Sequence, residues 1–242
     1  MRVHRFATPY ALARTAARRF VAVAREAISA RGVFRVALSG GSTPQALYEA
    51  LAGAALDWSS VECFWSDERF VPASDPASNE GMARRALLGR VGSPRVFPMV
   101  TDATPEACAA RYEALLPGTL DLVLLGLGED GHTASLFPGE PGVHERARKA
   151  IAAHAPAGVP ERITLSAAYI NRARRVWFLV SGAGKAGALA RVLAGPEDHD
   201  LTPAQAVARH APDVEFFVDA AAFAALALLP RTAWQGPARR ES

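Results

Sequence analysis

Apolar and polar positions along this chain fall into two alternating patterns. Short runs rich in branched and aromatic residues alternate with longer stretches whose apolar residues recur every three or four positions. The runs at 33–39, 61–65, 121–127, 162–165, 175–180 and 213–218 read as strands, with shorter ones at 96–97 and 150–154. The first helix is expected over 8–32. Thr8 and Pro9 supply its cap and first turn, Leu12, Ala16, Phe20, Val23 and Ala27 form one apolar face, and Gly32 stops it. Further helices are expected from Ser42 through Leu51, after Ser78 or Asn79 with Met82, Ala86 and Leu87 inward, over 104–116, from Lys185 to Leu193, and over 219–229. Strands alternating with helices, without repeat or linker, predict one α/β domain over 1–242 built on a parallel sheet with right-handed crossovers. The tail from Pro230 is polar and broken by proline and glycine, so fraying is expected there.

The candidate chemistry sits where strands end. The run at 121–127 delivers Gly126, Gly128, Asp130, Gly131 and His132, and in open parallel sheets ligands bind beyond the carboxyl ends of the strands. The strand at 33–39 runs into Gly40, Gly41, Ser42, Thr43 and Pro44, where exposed amides at a helix start attract phosphate. Asp67, Glu68 and Arg69 end another strand ahead of a long polar loop at 70–78; taken alone they fit a surface ion-pair cluster equally well. Gly182, Gly184 and Lys185 resemble half of a nucleotide loop. Leu179 stands in place of its first glycine and Ala186 in place of its magnesium-binding hydroxyl, so what remains is a lysine suited to a phosphate oxygen.

Composition narrows the classes. The net charge of +3 is small and the arginines are dispersed, which argues against a nucleic-acid partner and suits an anionic small molecule. The apolar runs are too short to span a bilayer, so no membrane partner is expected. The two cysteines, Cys63 and Cys108, form no CxxC, and no His/Cys spacing suits zinc; a reducing, cytoplasmic setting is the simplest reading. The Arg-rich first thirty residues imitate a transit peptide, but their capping and periodicity favour a packed helix. Where arginine is the default cation, Lys185 in a glycine loop stands out.

Four segments in this order closely resemble the 6-phosphogluconolactonase family, within the wider group that includes glucosamine-6-phosphate deaminase. They are 38–44, 65–69 with Ser78 and Asn79, 126–138 and 162–166, and the resemblance runs over roughly residues 5 to 228. It implies a modified Rossmann-like parallel sheet, mixed at its edge, with helices on both faces. It also implies hydrolysis of 6-phosphoglucono-δ-lactone to 6-phosphogluconate, the second step of the oxidative pentose phosphate pathway, without metal or cofactor, in a monomer or weak homo-oligomer. Lactone opening needs an activated water, a home for charge on the carbonyl oxygen, a proton for the leaving oxygen and a phosphate anchor. On this reading His132 is the general base, oriented by Asp130 or Asp67, and Arg69 stabilises the oxyanion or holds substrate. Gly40, Gly41, Ser42, Thr43 and Lys185 bind phosphate, with Arg162 a further contributor. The deaminase branch would place Glu where Phe137 stands and Tyr where Arg69 stands. A sugar-phosphate-binding regulator without catalysis is the alternative from another class.

Overall fold

The computed structural model describes residues 1–229 and the strand at 238–240. The elements in chain order are β1 (Arg2–Phe6), α1 (Pro9–Arg31), β2 (Phe34–Leu38), α2 (Ser42–Leu51), β3 (Val61–Trp65), β4 (Asp67–Arg69), α3 (Asn79–Ala83), β5 (Arg95–Val96), α4 (Pro105–Leu115) and β6 (Leu122–Leu125). They continue with β7 (Ala150–His154), β8 (Glu161–Leu165), α5 (Ala167–Ile170), β9 (Val176–Val180), α6 (Ala186–Ala194), α7 (Gln205–Ala208), β10 (Val214–Asp219) and β11 (Ala238–Arg240).

Eight strands form one sheet in the order β11-β1-β10-β9-β6-β2-β3-β5, and every pairing in it is parallel. The antiparallel component lies apart, as a three-stranded sheet β4-β8-β7. Every residue of β3, β6, β9 and β10 is buried, so these strands are covered on both faces and carry no polar alternation. From β2 the chain adds β3 and β5 on one side; it then returns to place β6, β9 and β10 on the other. The crevice between the carboxyl ends of β2 and β6 is therefore the topological switch point.

Helix α1 follows its sequence signals. The Thr8 hydroxyl accepts from the Ala11 amide at 3.2 Å, and Gly32 closes the helix in the left-handed region with its amide on the Ile28 carbonyl at 2.8 Å. Its expected face, Leu12, Ala16, Phe20, Val23 and Ala27, is buried. Phe20 meets Phe34 edge to face at 5.2 Å, and burying a side chain of that size contributes about 1.5–3 kcal/mol.

Three expectations change. Arg2–Phe6, for which the sequence pattern gives no element, is a strand lying between β10 and β11. The helix expected over 219–229 is a series of turns with a single 3-10 turn at Leu226–Leu228. Of the tail expected to fray, Ala238–Arg240 pairs with β1, and 230–237 and 241–242 lie outside the described residues. No described helix is long and apolar enough to cross a membrane.

Candidate active site

The switch-point crevice opens into a cleft of about 280 Å³. Its walls come from the carboxyl ends of β2, β6 and β9 with the loops that follow them, from β4 and from the start of α3. Gly40, Gly41, Ser42, Thr43, Asp67, Arg69, His132 and Lys185 all line it, so the fold gathers eight predicted residues from four separate segments.

On the β6 side, the Asp130 carboxylate clamps His132. One oxygen, Oδ1, accepts both the His132 backbone amide at 3.0 Å and ring Nδ1 at 2.7 Å. Burial pushes the Asp130 carboxyl up, but the two hydrogen bonds and the charge of His132 outweigh it and bring it down to about 2. An ionised acceptor on Nδ1 makes that nitrogen the donor and leaves the Nε2 lone pair free. The ring packs at 4.8 Å on Phe137, tilted by 49°. Glycine is required at 128, where a Cβ would lie 2.1 Å from His132 Nδ1. The adjoining Ala134, also in the cleft wall, holds a left-handed φ of 49°.

Asp67 does not reach His132. Its carboxylate accepts from the Ser135 hydroxyl at 2.8 Å and, more distantly, from the Ser66 hydroxyl, so it braces the segment after His132 against β4. Of the two carboxylates expected to orient the base, Asp130 is the one in contact. Glu68 points the other way. It accepts the backbone amides of Arg69, Asn79 and Glu80 and the Ser78 hydroxyl, capping α3 and closing the 70–78 loop onto β4. Burial holds its carboxyl above the ordinary value, although the three amides pull it down.

Arg69 donates to the Ala77 carbonyl, while its buried Nε has no hydrogen-bond partner. It stands opposite Arg162 in the β4–β8 pair. Arg162 is buried outside the cleft lining, with Nε on the Val159 carbonyl at 2.8 Å. Its guanidinium pKa is lowered first by burial and then by Arg69, and raised again by Asp67 and Glu68. As an expected phosphate contributor Arg162 lies outside the cleft lining: paired directly opposite Arg69, it stands beside that residue on the same face of the small sheet, with its Nε held by the Val159 carbonyl.

On the β2 side, Gly41 takes φ +100° at the start of α2, aiming the first amides of the helix at the cleft. Gly40 is fixed by contact, since a Cβ there would lie 1.9 Å from the Asn79 Oδ1. The Thr43 hydroxyl is bonded to the Ser181 hydroxyl at 2.6 Å. One of the two donates to the other, leaving a single O–H for an anion. Lys185 Nζ lies 3.9 Å from the exposed Glu129 carboxylate, a contact weakly held against solvent.

Sequence reasoning missed Ser181 and Asn79 as cleft residues. The Ser181 position, directly after a buried strand and before Gly182, was the available signal. Ser78 or Asn79 is expected as the cap of α3. The structure makes Ser78 the cap, with its Oγ on the Gly81 amide at 3.0 Å, and turns Asn79 into the cleft wall with Nδ2 on the Asp67 carbonyl at 2.9 Å.

Residues 7–216 match the family described as glucosamine-6-phosphate isomerases/6-phosphogluconolactonase. A 6-phosphogluconolactonase of Synechocystis sp. is 45% identical over 193 residues, covering 74% of this chain and 80% of the relative. The crystal structure of a 6-phosphogluconolactonase from Shewanella baltica superposes with a TM-score of 0.85 at 31% identity, over 91% of this chain and 98% of that one. A monomeric glucosamine-6-phosphate deaminase superposes with a TM-score of 0.81 at 26% identity, over 93% and 100% of the two chains. Backbone architecture is thus common to both branches. By profile, relatives and fold, this chain belongs to the family of glucosamine-6-phosphate isomerases and 6-phosphogluconolactonases.

Proposed function

We propose that the cleft hydrolyses 6-phosphoglucono-δ-lactone to 6-phosphogluconate, the second step of the oxidative pentose phosphate pathway. The observation that carries this reading is the 2.7 Å bond to an ionised Asp130, outside the lining, from Nδ1 of His132, which lines a cleft that also holds a helix start and Lys185. The bond leaves Nε2 as a base facing any molecule bound there. Nε2 takes a proton from water as the water oxygen attacks the lactone carbonyl, and Asp130 stabilises the imidazolium that forms. The tetrahedral intermediate then collapses. The bond from the carbonyl carbon to the ring oxygen breaks, the ring oxygen takes the proton back from Nε2, and His132 is regenerated.

Arg69 serves the developing oxyanion or the sugar, with Arg162 beside it on the paired strand as a second positive charge outside the cleft lining. The amides of Gly40, Gly41 and Ser42, the Ser42 hydroxyl, the remaining O–H of the Thr43–Ser181 pair and Lys185 hold the phosphate. No step of this scheme calls for a metal ion or cofactor. Two free, buried thiols support a reducing, cytoplasmic setting.

Phe137 favours this reaction over deamination. The ring lies against His132, where the deaminase branch is expected to carry a glutamate, and among the described residues Asp130 is the carboxylate bonded to the imidazole, with none in the Phe137 position to move protons on an amino sugar. The test is hydrolysis of freshly generated lactone in chelator against its spontaneous rate, run beside ammonia release from glucosamine 6-phosphate. Chelator-resistant acceleration is expected, with no ammonia. Ammonia release would move the activity to the other branch, and binding of 6-phosphogluconate without any acceleration would favour the regulator.

A further inference from the structure

Glu197 Oε1 lies 2.7 Å from His199 Nε2 and 2.8 Å from His210 Nε2, in the segment that joins α6 to β10. One ligand atom from each of the three residues falls within 4.8 Å of the others. The two imidazoles stand edge to face with centroids 5.4 Å apart, so both Nε2 atoms converge on one carboxylate oxygen. None of the three residues lines the catalytic cleft. Ligand atoms of a tetrahedral zinc ion at about 2.0–2.1 Å from the metal stand roughly 3.3 Å from each other, which lies inside the spread found here. Small side-chain rotations would admit an ion, and the exposed side of the cluster would leave water as the fourth ligand.

The frame around the cluster is rigid. Gln205, fully buried, donates from Nε2 to the carbonyls of Arg191 and Pro196, each at 2.9 Å, and accepts the Asp198 amide at 2.8 Å. These three bonds fix the backbone on both sides of Glu197. Arg209 is held by the carbonyls of Val192 and Gly195 and reaches only the other glutamate oxygen, Oε2, at 4.0 Å. Oε1 is thereby left to the histidines. Oriented ligands backed by buried hydrogen bonds are what a metal site requires of its surroundings.

We infer that Glu197, His199 and His210 form a binding site for a divalent transition-metal ion of the zinc class, separate from the catalytic cleft. Two imidazole nitrogens with one carboxylate select zinc and its neighbours over magnesium or calcium, which prefer all-oxygen shells. Each imidazole would bind through Nε2 with its proton on Nδ1. An ion there ties Glu197 and His199 to His210 across α7. The intervening segment also seats the catalytic loop, since the Ala204 amide donates to the Gly131 carbonyl at 3.0 Å. Sequence alone hid the site because His210 stands eleven residues beyond His199 and the grouping has no cysteine.

The test is calorimetric titration of the full chain, after chelator treatment, with Zn²⁺ in a buffer that does not bind metal. It is run on wild type, on the double variant His199→Ala/His210→Ala, and on Glu197→Gln, which keeps the hydrogen bonds and removes the anionic ligand. Wild type is expected to bind one ion at this site with micromolar or tighter affinity. Loss of even an outer-shell partner weakens metal sites by about 10–100-fold, so loss of two direct ligands should weaken this one by more than about 100-fold. Zn²⁺ should raise the wild-type melting temperature by roughly 5–10 °C at a hundredfold excess over Kd and leave the double variant unmoved. All three proteins should show the same lactone hydrolysis in chelator. Equal zinc affinity in wild type and double variant, or no wild-type binding below about 100 µM, would overturn the assignment.

Discussion

Replacing Asp130 by asparagine separates the two services this carboxylate gives to His132. The first is orientation: Oδ1 receives both the backbone amide and Nδ1 of His132, at 3.0 and 2.7 Å. An asparagine keeps that oxygen in place, because turning its NH₂ inward would set a donor against the backbone N–H. The ring should therefore retain the tautomer with Nε2 free. The second service is charge, and this is lost. The drop of the Asp130 carboxyl from 3.8 to about 2 corresponds to at most about 2.5 kcal/mol of favourable pairing, using about 1.4 kcal/mol per pKa unit. The side chain is 43% exposed, and solvent screening reduces the figure to about 1 kcal/mol. An imidazolium deprived of that support raises the barrier by about 1 kcal/mol, so kcat should fall roughly fivefold. Asp130→Ala removes orientation as well, and its loss should approach the roughly 10² to 10⁴-fold expected for losing the base itself. Both variants are assayed on fresh lactone with the spontaneous rate subtracted. An Asp130→Asn enzyme within twofold of wild type, or an alanine variant no slower than the asparagine one, would refute this account of the pair.

Other perturbations follow from the same geometry. Lys185→Ala should raise KM by about tenfold or more with kcat little changed, the pattern of a lost ground-state contact; a pure kcat defect in steady-state kinetics would count against the phosphate role. Gly128→Ala should inactivate without unfolding, because its Cβ would lie 2.1 Å from His132 Nδ1; an active, well-folded variant would contradict the packing. Glu68→Gln should destabilise by about 1–3 kcal/mol in urea titrations at neutral pH, since its NH₂ must face one of the amides that the carboxylate now satisfies. Because burial raises the Glu68 pKa, the folded state holds its proton longer than the unfolded chain. This group's contribution should therefore weaken as pH climbs above 4.5, and the Gln variant should lack that component. Asp130 has the opposite sign: its pKa is depressed from 3.8 to about 2, so its stabilisation is present above 3.8 and lost as pH falls toward 2. The stability gap between wild type and Asp130→Asn should narrow over that interval.

The parts of the site legible in the sequence are those where local chemistry decides the structure. Buried strands that end abruptly in glycine announced both cleft loops, because fully covered strands need continuous apolar residues and tight turns need glycine. Partnerships across the chain were not legible. Asp67 could not be told from Asp130 as the partner of His132, since its hydroxyl partner Ser135 reaches it only through the second sheet. Arg162 reads as a phosphate ligand because the Val159 carbonyl that holds its Nε outside the cleft lining has no local signature. Strand β1 escaped for the same reason. Its buried His4 is satisfied by Glu215 of β10 at 2.6 Å, so a polar residue occupies a position where a strand pattern calls for an apolar one. At the other end, the alanines at 220–222 favour a helix by propensity and the Asp219 carboxylate accepts the Ala222 amide as a helix cap does, yet only a series of turns follows β10.

The central claim is that His132 opens a sugar-phosphate lactone as a general base. The most direct measurement is turnover of freshly generated 6-phosphoglucono-δ-lactone by wild type and His132→Ala in chelator, each corrected for spontaneous hydrolysis. The account predicts clear acceleration by wild type and a variant slower by about 10² to 10⁴-fold with its melting temperature preserved. A folded His132→Ala enzyme turning over within threefold of wild type would contradict it.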